Sequence, residues 1–321
     1  MTLRLLRLNP VAIGILSASF LAGGLAACAP ASPASPVPTV PPLGGPSPAG
    51  SAAPIPVLGT ENFYADLLAQ IGGARVTATS LLNDPNADPH AFESSTQAAL
   101  AVADAQLVIV NGLGYDAFMD KLLAASPSSS RSVINVQQLL GLADGANAHI
   151  WYDPATMPAV AAKVAAALDA IDPGNAFYFN AREALYVASL QPVTAKIAAM
   201  KTHFGGTPVA FTEPVAGYLA AAIGLRVLTP EGFQKSIEDG TDPAPADVAA
   251  ESDLLTGKQV KVLLYNSQVT SPITTQMHDL AVANGIPVVG VAETIPAAYS
   301  DYVSWQLGQL DQLDQALGGG G

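Results

Sequence analysis

One cysteine, Cys28, stands among 321 residues, so no intramolecular disulfide can form and the fold must rest on its core and backbone. Charge is scarce too. Only 12% of residues are charged, with 13 Lys and Arg against 26 Asp and Glu and a formal net charge of −13. That balance argues against a nucleic-acid partner and favours the attraction of cations. There are four histidines, and none sits in a His-Glu-x-x-His arrangement of the zinc-hydrolase kind. Half the residues are hydrophobic, yet no long apolar run interrupts the interior of the sequence, which excludes an internal membrane span.

The one continuous apolar run lies at the start. Arg4 and Arg7 precede it, and it closes on Leu25-Ala26-Ala27-Cys28. A basic segment, a short apolar stretch and small residues at a cleavage point describe a secretory signal over 1–27. Leu-Ala-Ala-Cys resembles the bacterial lipobox, so Cys28 is the expected lipid attachment point, anchoring an extracytoplasmic protein to the cell membrane. Residues 28–54 are dominated by Pro, Ser, Ala and Gly, carry no charge and cannot bury enough surface to fold. They read as a tether.

From residue 55 onward, short β-prone runs alternate with longer Ala-rich segments, the pattern of parallel α/β sheets. Strands are expected at 55–58, 75–81, 107–111, 132–135, 208–212, 226–229, 261–265 and 287–291. Helices are expected at 61–71, 95–103, 115–125, 155–171, 215–223, 245–256, 272–284 and 299–317. The middle differs. Residues 175–203 read as one long helix that Pro192 kinks or splits. The predicted fold is therefore two α/β lobes, 55–172 and 205–317, each with a parallel sheet flanked by helices. A linking helix over 173–204 joins them, and 318–321 is a tail.

In open α/β sheets, ligands bind beyond the carboxyl ends of strands. Four metal-type residues fall there. His90 follows Asp88-Pro89 in the loop after the second strand, and His149 lies in Asn147-Ala148-His149-Ile150-Trp151-Tyr152-Asp153-Pro154. Asp153 is suited to cap the next helix and Pro154 to open it. Glu213 and Glu293 each follow a strand of the second lobe directly. The spacing matches no local zinc motif, and two candidates fall in each lobe, so the simplest geometry is one ion in the interlobe cleft. Two imidazoles with two carboxylates suit Zn²⁺ and Mn²⁺ alike, with Fe²⁺ also compatible. Each acid has a plainer explanation: Glu213 as a first-turn acid favoured by the helix dipole, Glu293 as a solvated loop acid. His203 and His278 lie in or at the ends of helical runs and read as non-ligands.

Asp88-Pro89-His90-Ala91-Phe92-Glu93 followed by the His149 stretch resembles the zinc and manganese solute-binding lipoproteins of bacterial ABC importers, the cluster A-I or TroA-like family. Glu61-Asn62-Phe63-Tyr64, Gln70-Ile71-Gly72-Gly73, Thr212-Glu213-Pro214 and 287–294 match as well, so the likeness runs through 55–317. It implies two lobes joined by a rigid helix around one metal, with His90, His149, Glu213 and Glu293 as ligands. The His-rich loop of many zinc-type members is absent, since 116–147 holds no His. Glu at the third position is similar to manganese-type members, whereas Glu rather than Asp at the fourth departs from them.

The expected function is capture of a divalent transition metal and its delivery to an ABC permease by a monomeric, lipid-anchored, non-enzymatic protein. A rigid linking helix limits the expected lobe motion, and binding is expected to weaken as pH falls. Two other functions fit parts of the sequence. A surface adhesin or interaction lipoprotein with a structural metal would use the tether equally well. A metallohydrolase would need an open metal position and a general base.

Overall fold

The computed structural model describes residues 53–84, 92 and 94–319; His90, Asp88, Glu93 and Cys28 lie outside them. Two four-stranded sheets, all parallel, form the frame. The first holds β1 (Ile55–Glu61), β2 (Val76–Leu82), β3 (Leu107–Val110) and β4 (Ser132–Asn135) in the order β2-β1-β3-β4. The second repeats that order with β5 (Pro208–Phe211), β6 (Arg226–Val227), β7 (Leu263–Asn266) and β8 (Val288–Val291), as β6-β5-β7-β8. Strand order therefore reverses between β1 and β3 in one lobe and between β5 and β7 in the other. Those two crevices are where such sheets receive ligands.

Helices α1 (Asn62–Gly72), α2 (Thr96–Asp104), α3 (Phe118–Ala125), α4 (Val136–Leu140) and α5 (Thr156–Ile171) belong to the first half of the fold. The connecting segment is two helices in series, α6 (Ala176–Ser189) and α7 (Gln191–Phe204), with Leu190 between them. Pro192 sits in the first turn of α7, where its missing N–H costs nothing, and deprives the end of α6 of a continuing donor. The expected single helix over 175–203 is thus split at the proline. The second lobe carries α8 (Gly217–Ile223), α9 (Glu231–Glu238), α10 (Pro245–Thr256), α11 (Pro272–Ala283) and α12 (Tyr302–Leu317). Among the described residues no helix is long and apolar enough to cross a membrane.

Other boundaries moved for local reasons. Asp153 and Pro154 do not open α5, which begins at Thr156. A 3₁₀ turn over Ile150–Tyr152 comes first; Asp153, held extended ahead of its proline, accepts from Ala155 N–H at 2.9 Å. Asp153 therefore shapes the turn before the helix. Helix α3 starts at Phe118 because Asp116 instead accepts the N–H groups of Asn111 (2.6 Å) and Gly112 (2.9 Å), closing the loop after β3. Helices α4 and α9 have no counterpart in the sequence expectation.

One apolar cluster runs through both lobes, with smaller ones behind each sheet. Trp151 and Trp305 are fully buried at its centre. Phe63 stacks on Trp151 at 4.6 Å between centroids, and Tyr152 meets Trp305 edge-on at 5.7 Å. Burial of each such side chain contributes on the order of 2–3 kcal/mol. Polar ties reinforce the seam. Asn62 exchanges hydrogen bonds with the Ile295 backbone (3.1 and 2.9 Å), and the Tyr302 hydroxyl donates to the Trp151 carbonyl at 2.6 Å. Tyr152's hydroxyl lies 2.7 Å from both the Ala292 carbonyl and Gln309 Oε1.

Candidate metal centre

The strand ends at the two crevices carry Glu61, Asn111, Glu213 and Asn266, and each of these four residues is buried. Phe211 closes β5, and Thr212-Glu213 follows before a 3₁₀ turn over Pro214–Ala216. Glu213 stands at the cap position of that turn, yet its side chain makes no capping bond, so helix capping does not explain it. Its Oε2 instead accepts from Asn266 Nδ2 at 2.7 Å. The same amide group donates to Glu293 Oε1, also at 2.7 Å. Asn266 thus holds two carboxylates of the second lobe side by side.

Glu293 is fully buried, which removes its reading as a solvated loop acid. Gln268 fixes the loop that carries it: Gln268 Oε1 accepts from the backbone N–H groups of both Glu293 and Thr294. Tyr115, from the first lobe, donates its hydroxyl to Glu293 Oε2 at 2.9 Å. Burial, and then the charges of Glu293 and Glu61, push the Tyr115 phenol well above its ordinary range, so it remains a donor.

His149 reaches the same place from the loop behind α4. Asn111 Nδ2 donates to the Ala148 carbonyl at 2.9 Å and sets the height of that loop. The imidazole is fully buried and packs edge-on against Trp151 at 5.2 Å. Its Nδ1 lies 2.8 Å from Asn147 Oδ1 and 3.9 Å from Glu238 Oε1. Its Nε2 makes no hydrogen bond among the described residues and stands 3.4 Å from Glu293 Oε2.

Of the four residues expected from the sequence, three lie among the described residues and His90 lies outside them. His149 and Glu293 meet directly, while Glu213 joins them through Asn266. Among the described residues no three His, Cys, Asp or Glu side chains are grouped closely enough to hold an ion by themselves. His203 and His278 sit elsewhere, on α7 and α11. Sequence reasoning passed over Asn266, Gln268 and Tyr115. Asn266 obeys the same strand-end rule as the glutamates, but an amide is not itself a metal-type side chain, so its position carries no signal in the sequence.

Glu61 reads in the sequence as the first residue of a helix and carries no site signal of its own. It is the last residue of β1, fully buried, and neither carboxylate oxygen has a hydrogen-bond partner among the described residues. Burial, followed by the nearby charge of Asp116, pushes its carboxyl well above the usual range, which favours the neutral acid. Beside the centre lies a cavity of about 450 Å³ whose lining includes Tyr115, Asn147, Pro214, Glu231, Lys235 and Glu238. Its acids come from α9 and from Asp239 at that helix's end, which engages Lys235 at 3.0 Å.

Two repeated α/β lobes with a buried polar centre between them define a solute-binding protein of the two-lobed, helix-linked kind. The chain belongs to the ZnuA family, zinc-uptake complex component A, periplasmic, whose sequence profile matches residues 57–316. It is 26% identical over 212 residues to a relative from Treponema pallidum (strain Nichols), covering 58% of this chain and 62% of that protein, less than two thirds of its length. It is 25% identical over 225 residues to the manganese-binding lipoprotein MntA of Bacillus subtilis (strain 168), covering 67% of this chain and 71% of MntA. The fold is similar to that of the periplasmic zinc-binding protein TroA from Treponema pallidum. The TM-score there is 0.70 at 19% identity, over 83% of this chain and 99% of TroA.

Proposed function

We propose that this protein captures one divalent transition metal between its lobes through His149, Glu213 and Glu293, with His90 as fourth ligand, and delivers it to the permease of an ABC importer. The observation that carries this reading is the contact of His149 Nε2 with Glu293 Oε2 at 3.4 Å, both fully buried. An imidazole whose Nδ1–H donates to Asn147 presents a lone pair at Nε2, and the carboxylate presents another. Two buried acceptors this close are held together by a cation or a proton between them. Two ligands held about 2.1 Å from one ion in tetrahedral array stand roughly 3.4 Å apart. The observed spacing suits that.

Two carboxylates offset the charge of a divalent ion, and the imidazole adds a neutral donor. Such a mixed set accepts Zn²⁺ and Mn²⁺, with Fe²⁺ also compatible. Family membership and relatives named for zinc and for manganese favour the same two ions. The Leu25-Ala26-Ala27-Cys28 sequence and the lipoprotein MntA favour a lipidated Cys28 that tethers the protein outside the cell membrane through residues 28–54; we read the body as a monomer with lobes over 55–172 and 205–317.

Titration of the purified chain with Zn²⁺ and Mn²⁺, alongside His149→Ala and Glu293→Gln, tests the assignment. Both variants are expected to lose most of their affinity while retaining wild-type circular dichroism. Undiminished affinity in either would remove that residue from the ligand set. Metal analysis of protein from medium containing both ions identifies the cargo.

A further inference from the structure

We propose that Asn147 is the positioning residue of the metal centre: it fixes the tautomer of His149, and its own orientation is imposed from the opposite lobe. The inference rests on the reading of His149 as a ligand through Nε2. The backbone N–H of His149 donates to Asn147 Oδ1 at 3.0 Å, and a backbone N–H can only donate. The other end of the same amide, Nδ2, donates to the Pro214 carbonyl at 2.7 Å, and a carbonyl can only accept. The two contacts independently demand the same orientation, so the side-chain oxygen faces His149 without the ambiguity that usually attends an amide.

The same oxygen lies 2.8 Å from His149 Nδ1. An acceptor at that distance places the imidazole proton on Nδ1 and leaves Nε2 as the lone-pair nitrogen, aimed toward Glu293. Pro214 directly follows Glu213, so the residue that orients the first-lobe histidine is gripped by the turn that carries a second-lobe carboxylate. Tyr218 adds a second grip, donating its hydroxyl to the Asn147 carbonyl at 3.0 Å. Gly217 leaves the room this needs: a Cβ there would lie 2.9 Å from Asn147 Nδ2. Asn147 therefore joins ligands from two lobes into one preset geometry.

The test compares wild type, Asn147→Ala, Asn147→Asp and Gly217→Ala, using imidazole ¹⁵N shifts of the metal-free protein and Zn²⁺ affinity by chelator competition. The His149 signal is assigned by its absence in His149→Ala. Wild type is expected to show the Nδ1–H tautomer. Asn147→Ala should show the Nε2–H form or a mixture, with affinity about 10–100-fold lower, the usual consequence of removing a partner behind a ligand. Asn147→Asp keeps the acceptor and should keep the tautomer. Gly217→Ala displaces the amide without altering it and should shift the tautomer as Asn147→Ala does; it carries the test if Asn147→Ala fails to fold. Retention of the wild-type tautomer in Asn147→Ala, or in Gly217→Ala in its place, overturns the proposal whether or not affinity falls. Wild-type affinity in His149→Ala would instead remove the ligand reading, while the tautomer comparison still decides the role of Asn147.

Discussion

Asn266 shows how one uncharged side chain can govern a charged site. Its two amide hydrogens go to two carboxylates, each at 2.7 Å, and its own oxygen accepts from Gln268 N–H at 3.0 Å. Removing it leaves Glu213 and Glu293 buried and mutually repelling in the metal-free protein. Asn266→Ala is expected to lower Zn²⁺ and Mn²⁺ affinity about 10–100-fold, read by chelator competition, because the carboxylates no longer hold a common orientation. Unchanged affinity would show that the glutamates are positioned by other contacts. The residues that supply lone pairs were legible in the sequence, since His149, Glu213 and Glu293 are metal-type side chains in predictable strand-end loops. The amides behind them were not. Asn and Gln are common in turns and caps for reasons of backbone geometry, and nothing in one sequence separates a helix cap such as Asn135 from a carboxylate holder such as Asn266.

At the scale of elements, legibility followed length and punctuation. Helix α10 opens on Pro245 and closes before Gly257, and its observed limits coincide with the expected 245–256. Helix α9 was hidden: over Glu231–Glu238 only Phe233 and Ile237 are buried, a single pair four residues apart in an otherwise polar segment. Yet it supplies Glu238 beside His149. The start of α12 was expected at 299 and lies at Tyr302, where Asp301 and Ser304 form a reciprocal capping box. Asp301 accepts from Ser304 N–H at 2.7 Å. Asp301→Ala should destabilise the protein by about 1–2 kcal/mol in urea unfolding. Metal affinity should stay unchanged, because α12 supplies no proposed ligand. A change below a few tenths of a kcal/mol would mean that packing alone sets the start of α12.

Across the whole molecule, the lobes share one apolar cluster and a row of hydrogen bonds, so a wide hinge motion would have to break that seam. Small-angle scattering should therefore give the same radius of gyration with and without Zn²⁺; a marked contraction on binding would contradict the rigid seam. One member of the seam is titratable. Asp66, on α1, accepts from Tyr302 N–H at the start of α12 at 3.0 Å, while burial raises its carboxyl to about 7. In the unfolded chain an aspartate releases its proton near pH 3.9. Between those values the native protein keeps a proton that the unfolded chain has lost. The stability Asp66 contributes is therefore complete below about pH 4, falls as pH rises and levels off above about 7. The limiting slope for one proton is about 1.4 kcal/mol per pH unit. Asp66→Asn retains an acceptor for Tyr302 and cannot ionise. Urea unfolding in the presence of a chelator should thus show wild type losing stability relative to Asp66→Asn between pH 5 and pH 7.5. Parallel curves for the two proteins would show that Asp66 titrates alike in the folded and unfolded chains, and that the seam is held without a proton on it.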